Sequence, residues 1–93
     1  MEIKGIIWIP EIVDKLEYKH HITQDEVEQV FNNKPQCRFL EQGKISGEHV
    51  YSAYGNTNQG RYVTVIFIRK SGNRALIISA RDMDRKERKQ YGK

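Results

Sequence analysis

Cysteine is nearly missing from this chain of 93 residues: Cys37 stands alone, so no disulfide can form within it. That usage fits a reducing compartment. No apolar run approaches the ~20 residues needed to span a bilayer. The opening residues, Met1-Glu2-Ile3-Lys4-Gly5, have neither the basic region nor the long apolar stretch of a secretory leader. A soluble, cytoplasmic protein with no membrane partner is therefore the expectation. Glycine-rich phosphate cradles are lacking as well. Neither GxGxxG nor GxxxxGK(S/T) occurs, which removes dinucleotide binding and P-loop hydrolysis.

Metal-ligand spacings are also wanting. His20 and His21 are adjacent, so on a helix they diverge by about 100° and chelate one ion poorly. There is no HxxxH or CxxC pair, and no metal or cofactor is expected. Asp82, Asp84 and Glu87 sit among Arg81, Arg85, Lys86 and Arg88, and read as helix caps and ion-pair partners rather than magnesium ligands. Cys37 has no activating neighbour motif and reads as a small buried hydrophobe.

What is present is unevenly placed charge. Residues 1–60 carry 6 Lys/Arg against 9 Asp/Glu, whereas residues 61–93 carry 10 against 3, so −3 and +7 give the net +4. Positive charge concentrated in one third points to an anionic partner, with nucleic acid first and an acidic protein second. Regular apolar runs in a chain that is 38% hydrophobic exclude intrinsic disorder. One domain over residues 1–93 is expected, with a thin core and no deep substrate cavity.

The pattern predicts a strand over residues 3–8. A helix over residues 10–19 follows, opened by Pro10, with Ile12, Val13 and Leu16 on one face. Thr23-Gln24-Asp25-Glu26 is a capping box before a second helix whose stripe is Val27, Val30 and Phe31, ended by Asn32-Asn33-Lys34-Pro35. Strands are predicted over residues 37–41, 49–54, 62–68 and 75–80. The last two are nearly continuous apolar runs, which implies central strands covered on both faces. The connections at residues 55–60 and 70–73 are too short for a crossover helix, so these strands pair antiparallel. Asp84 opens a last helix that Gly92 stops. The class is α+β: an N-terminal strand and two helices, a four-stranded antiparallel meander and a C-terminal helix.

Metal-free RNA cleavage needs a base for the 2′-hydroxyl, cations for the phosphorane charge and an acid for the leaving oxygen. Lys, Arg, His, Glu and Tyr supply these roles. The candidates of those types are Lys19, His20, Arg61, Arg74, Arg81, Glu87 and Tyr91.

Several short runs occur here in a familiar order. Ile6-Ile7-Trp8 is followed eleven and twelve positions later by Lys19-His20. Ile22-Thr23-Gln24-Asp25-Glu26-Val27 and Val30-Phe31-Asn32-Asn33-Lys34-Pro35 bound the second helix. Gly60-Arg61-Tyr62-Val63-Thr64-Val65 enters a central strand, and Ile77-Ile78-Ser79-Ala80-Arg81 precedes Glu87 and Tyr91. In this order and spacing the chain resembles the BrnT toxins of bacterial type II toxin–antitoxin systems, over nearly its whole length. The pattern of that family is broken at four places, all in the N-terminal half. Ile9 stands where an acidic residue is usual, Ile12 for a polar or basic residue, Leu16 for asparagine and His21 for glycine.

The resemblance implies a compact fold like the RelE-type ribonucleases and an endoribonuclease that arrests translation. It implies neutralisation by a cognate antitoxin, usually a BrnA-like ribbon-helix-helix protein, with operator DNA contacted only through the complex. Carried onto this sequence, Arg61 and Arg81 bind phosphate and stabilise charge. Lys19 or His20 moves protons or binds phosphate, and Glu87 or Tyr91 completes the site. Arg74, Arg85, Lys86, Arg88 and Lys89 form a general RNA-attracting surface. The chemistry implied is attack of the 2′-hydroxyl on the adjacent phosphate, giving a 2′,3′-cyclic phosphate.

Each of these residues also has a plain structural role open to it. Trp8 packs beneath the sheet with one partner for its indole N–H. Lys19-His20 sits at a helix C-terminus, where positive charge suits the dipole. Arg81 pairs with Asp84 or Glu87, Glu87 closes a capping box, and Tyr91 docks the last helix. A non-catalytic module that binds RNA or an acidic antitoxin therefore stays as the alternative. A direct DNA-binding repressor has little support, since no recognition helix with asparagine-type base readers is visible.

Overall fold

A computed structural model describes residues 1–92. Its elements are β1 (Gly5–Ile7), α1 (Pro10–Lys15), a π-helical segment (Leu16–His20), α2 (Gln24–Asn32), β2 (Gln36–Glu41), β3 (Val50–Asn56), β4 (Tyr62–Lys70), β5 (Arg74–Asp82) and α3 (Arg85–Tyr91). The α+β class and the antiparallel meander β2-β3-β4-β5 are as the sequence implies. The sheet is nevertheless mixed. Its order is β1-β5-β4-β3-β2, and β1 lies parallel to β5. The two helices carry the chain from β1 on one edge to β2 on the other, a non-local pairing that no local pattern encodes.

Alternation along the central strands sorts their side chains onto two faces. Ala53, Val63, Val65, Phe67, Ala75, Ile77 and Ala80 point to one face and meet Leu16, Ile22, Val27 and Val30 to form the core. Gly55 lies under α2, where an added Cβ would come within 3.0 Å of Val30 Cγ1, so α2 can sit close on β3. Phe31 packs edge-on to Phe67, and Tyr51 stacks on it. Trp8 is half-buried against the core, and its indole N–H donates to Glu28 Oε2 at 3.1 Å. Cys37 packs on the same cluster, and burial pushes its thiol up from its ordinary value.

Coverage of both faces is corrected. On the second face β4 and β5 carry Ile66, Ile68 and Leu76 half-buried and Ile78 exposed. The short α3 covers only one end of that face. An apolar run reports strand identity, whereas coverage depends on where distant elements land.

The helix predicted over residues 10–19 is also corrected: its α-form ends at Lys15, and residues 16–20 widen into a π-turn. Leu16 stays in the core, 2% exposed. His21 then turns the chain in the left-handed conformation, at φ 54°. The capping box at α2 forms in full, with Thr23 Oγ1 accepting from Glu26 N–H at 3.1 Å and the Glu26 carboxylate accepting from Thr23 N–H at 3.0 Å. Asp84 caps α3 with the same reciprocal geometry through Glu87.

Candidate functional site

Two clusters of charged side chains meet at the end of β5. The pleat sends Asp82 to the helix-covered face and Arg81 to the opposite one.

On the helix-covered face Arg61, just before β4, uses all five guanidinium hydrogens. Nε and Nη2 donate to the two Asp82 carboxylate oxygens at 2.7 and 3.2 Å. Nη2 also donates to the His20 carbonyl at 3.0 Å, and Nη1 to the His21 carbonyl at 2.7 Å and Glu26 Oε2 at 3.4 Å. The last carbonyls of the π-turn, which a helix end leaves without internal donors, are thus held by a cation from another element. Hydrogen bonding to Asp82, ahead of every other influence, raises the Arg61 guanidinium pKa further. The same bond, helped by Arg61 and His20 charge, holds the Asp82 carboxyl below its ordinary value. His20 is half-buried beside this pair, and Lys19 is exposed.

On the other face Arg81 and Glu87 form a two-pronged pair. Nη1 donates to Oε1 at 2.7 Å and Nη2 to Oε2 at 2.8 Å. Oε1 also accepts from the Thr64 hydroxyl at 3.1 Å and the Asp84 N–H at 3.0 Å. Four donors on one carboxylate, Arg81 foremost, hold Glu87 below its ordinary value and keep it ionised. Thr64 is fully buried and lies directly opposite Arg81 in the β4–β5 register. Nη1 of Arg81 reaches back to the Asp82 carbonyl at 3.2 Å as well. Its Nε hydrogen and one Nη2 hydrogen make no hydrogen bond among the described residues, and the side chain is 41% exposed. Arg81 therefore presents donors in a fixed orientation, which is what a phosphate requires.

Tyr91 belongs to this second cluster. Its hydroxyl donates to Asn56 Oδ1 at 2.8 Å, and its ring meets Tyr62 edge-on. Arg88 lies over the Tyr62 ring, 4.2 Å from its centroid, while Arg85, Lys86 and Lys89 are exposed on α3. Arg74 is placed elsewhere. It begins the strand that Arg81 nearly ends, so about 23 Å of strand separates them.

The chain thus brings Lys19, His20 and Arg61 together on one side of the sheet end and Arg81, Glu87 and Tyr91 on the other. Sequence reasoning passed over Thr64, Tyr62 and Asn56 as members of these clusters and read Asp82 as a cap or partner of its sequence neighbours, whereas it pairs with Arg61. Thr64 carried a signal: a hydroxyl inside the apolar run of β4 is the informative exception in a buried strand. For Asp82 the sequence showed an ion-pair residue but not its partner, which is 21 positions away. Among the described residues no group of three or more His, Cys, Asp or Glu side chains is placed to hold a metal ion. None of their helices is long and apolar enough to cross a membrane.

A mixed five-stranded sheet with an arginine–carboxylate pair at the mouth of its last strand defines a small α+β protein. The family model described as "Ribonuclease toxin, BrnT, of type II toxin-antitoxin system" matches residues 8–87, and the chain belongs to that family. As a type II toxin, it implies an antitoxin as its partner. The crystal structure of the Brucella abortus ribonuclease toxin BrnT is similar in fold, with a TM-score of 0.60 and 20% identity, covering 87% of this chain and 97% of that one. No curated protein matches this sequence.

Proposed function

We propose that this protein is an endoribonuclease that cleaves RNA without a metal ion, through attack of the 2′-hydroxyl on the neighbouring phosphorus. The observation that carries this reading is Arg81, gripped by Glu87 on one edge and presenting unpaired N–H donors on the other. RNA crossing the end of β5 would set its phosphate against Arg81, where the cation stabilises the added negative charge of the phosphorane. His20, held on the π-turn beside Asp82, takes the 2′-hydroxyl proton and returns it to the departing 5′-oxygen. The P–O5′ bond breaks, leaving a 2′,3′-cyclic phosphate and a 5′-hydroxyl. Lys19 and the exposed cations of α3 attract the backbone. Tyr62 and Tyr91 offer rings for a base to stack on.

In this reading Glu87 and Arg61 are positioning residues. Glu87 is too well supplied with donors to serve as a base, and Arg61 has no hydrogen left for phosphate. Residues 1–93 act as one RelE-like unit in the cytoplasm, halting translation until a BrnA-like ribbon-helix-helix antitoxin binds. Operator DNA is reached only through that complex. Placement of His20 and Arg81 on opposite faces favours a second reading, a non-catalytic module that binds RNA or the antitoxin.

End-group analysis of RNA incubated with the protein in EDTA separates these readings. Cyclic phosphate ends, lost in His20→Ala and Arg81→Ala proteins that keep their fold, support the enzyme. A magnesium-dependent 5′-phosphate product contradicts the mechanism, and intact RNA, with or without ribosomes, supports the module.

A further inference from the structure

The half of the sheet that α3 leaves open has a pattern of its own. Register places Ile7, Leu76, Ile68 and Val50 in one row across β1, β5, β4 and β3. Three strand spacings make this row about 14 Å long, the length of a helix of about ten residues. Ile66 and the exposed Ile78 widen the row toward Arg81, and Ile45 of the β2–β3 loop, 61% exposed, lines the concavity at its far end. Arg38 and the exposed cations of α3 border it on one side.

We propose that this groove docks an amphipathic helical segment of a protein partner, apolar toward the row and acidic toward α3. The floor is aliphatic, whereas Tyr62 and Tyr91 meet at α3, so a protein segment suits it better than stacked bases. A second copy of this chain would bring α3 cations against cations, so the occupant is a partner of opposite charge. The proposal stands independently of the ribonuclease reading. A helix is about 10 Å across, so one seated on this row at Leu76 stops short of Arg81, about 16 Å further along β5, and leaves the site open to RNA.

Two 16-residue helical peptides provide the probes, each with leucines at i, i+3, i+4 and i+7 and either glutamates or lysines along one flank. Fluorescence anisotropy on the full chain, without RNA, should show the glutamate peptide binding about tenfold or more tighter than the lysine peptide. Ile68→Thr and Leu76→Thr should each weaken it by about tenfold, while Ile9→Thr, away from this face, leaves it unchanged. Circular dichroism and Tm confirm that each variant is folded. Equal affinity for the two peptides, no binding of the glutamate peptide, or insensitivity to both row variants overturns the proposal. So does a concentration-dependent dimer that Ile68→Thr dissolves, because a second copy would then own the row. Absence of cleavage by the wild type contradicts the ribonuclease reading alone and leaves the binding result standing.

Discussion

Ile9 and His21 bracket the first helical unit, and both occupy positions where a helix end calls for another residue. Ile9 is the N-cap of α1 and has no side-chain acceptor for the first free N–H groups. His21 is the left-handed residue that closes the π-turn, a conformation that favours glycine. These are two of the four places where the chain departs from the family pattern, and both are matters of helix termination. The other two, Ile12 and Leu16, are packing choices: Leu16 is in the core and Ile12 packs against it. Ile9→Asp and His21→Gly should therefore each stabilise the protein by about 1 kcal/mol in urea unfolding. A loss of stability in either would remove this account of the departures.

Glu87 yields a prediction of the same scale. Arg81 favours its ionised form in the folded chain, so its folded pKa lies below the ordinary value of 4.5. The stabilisation is complete above that value and disappears as pH falls through the folded one. Glu87→Gln should flatten the decline of stability below about pH 4.5, measured by urea unfolding at several pH values. An unchanged slope would mean that other carboxylates carry the acid sensitivity.

At the scale of elements, local chemistry was legible and remote chemistry was not. Both capping boxes, the stripe of Val27 and Val30 and the four meander strands follow from residues near one another in sequence. The π-turn does not. Its carbonyls are held by Arg61, some forty positions away, and no spacing between residues 10 and 21 announces that. The parallel pairing of β1 with β5 was hidden for the same reason, as was the open second face, since the run Tyr62 to Ile68 looks alike under one cover or two. Of the candidate site residues, composition identified the types, whereas their division between two faces needed the register. Arg61→Lys removes the fork but keeps the charge. It should cost about 1–2 kcal/mol and lower hydrogen-exchange protection at the His21 and Ile22 amides, which bond back into the turn. Unchanged protection there would show that the π-turn stands without its clamp.

For the molecule as a whole, two arginines of similar surroundings have different duties. Arg61 spends every donor on the protein and holds the first helical unit to the sheet. Arg81 is held by Glu87 so that it can offer donors outward. Function should follow Arg81 and stability should follow Arg61. The most direct test is the rate of RNA cleavage in EDTA by the wild type, Arg81→Ala and Arg61→Lys, each at a temperature where it is fully folded. The account predicts a fall of about 100-fold or more for Arg81→Ala and a much smaller one for Arg61→Lys. Full cleavage by folded Arg81→Ala would contradict it.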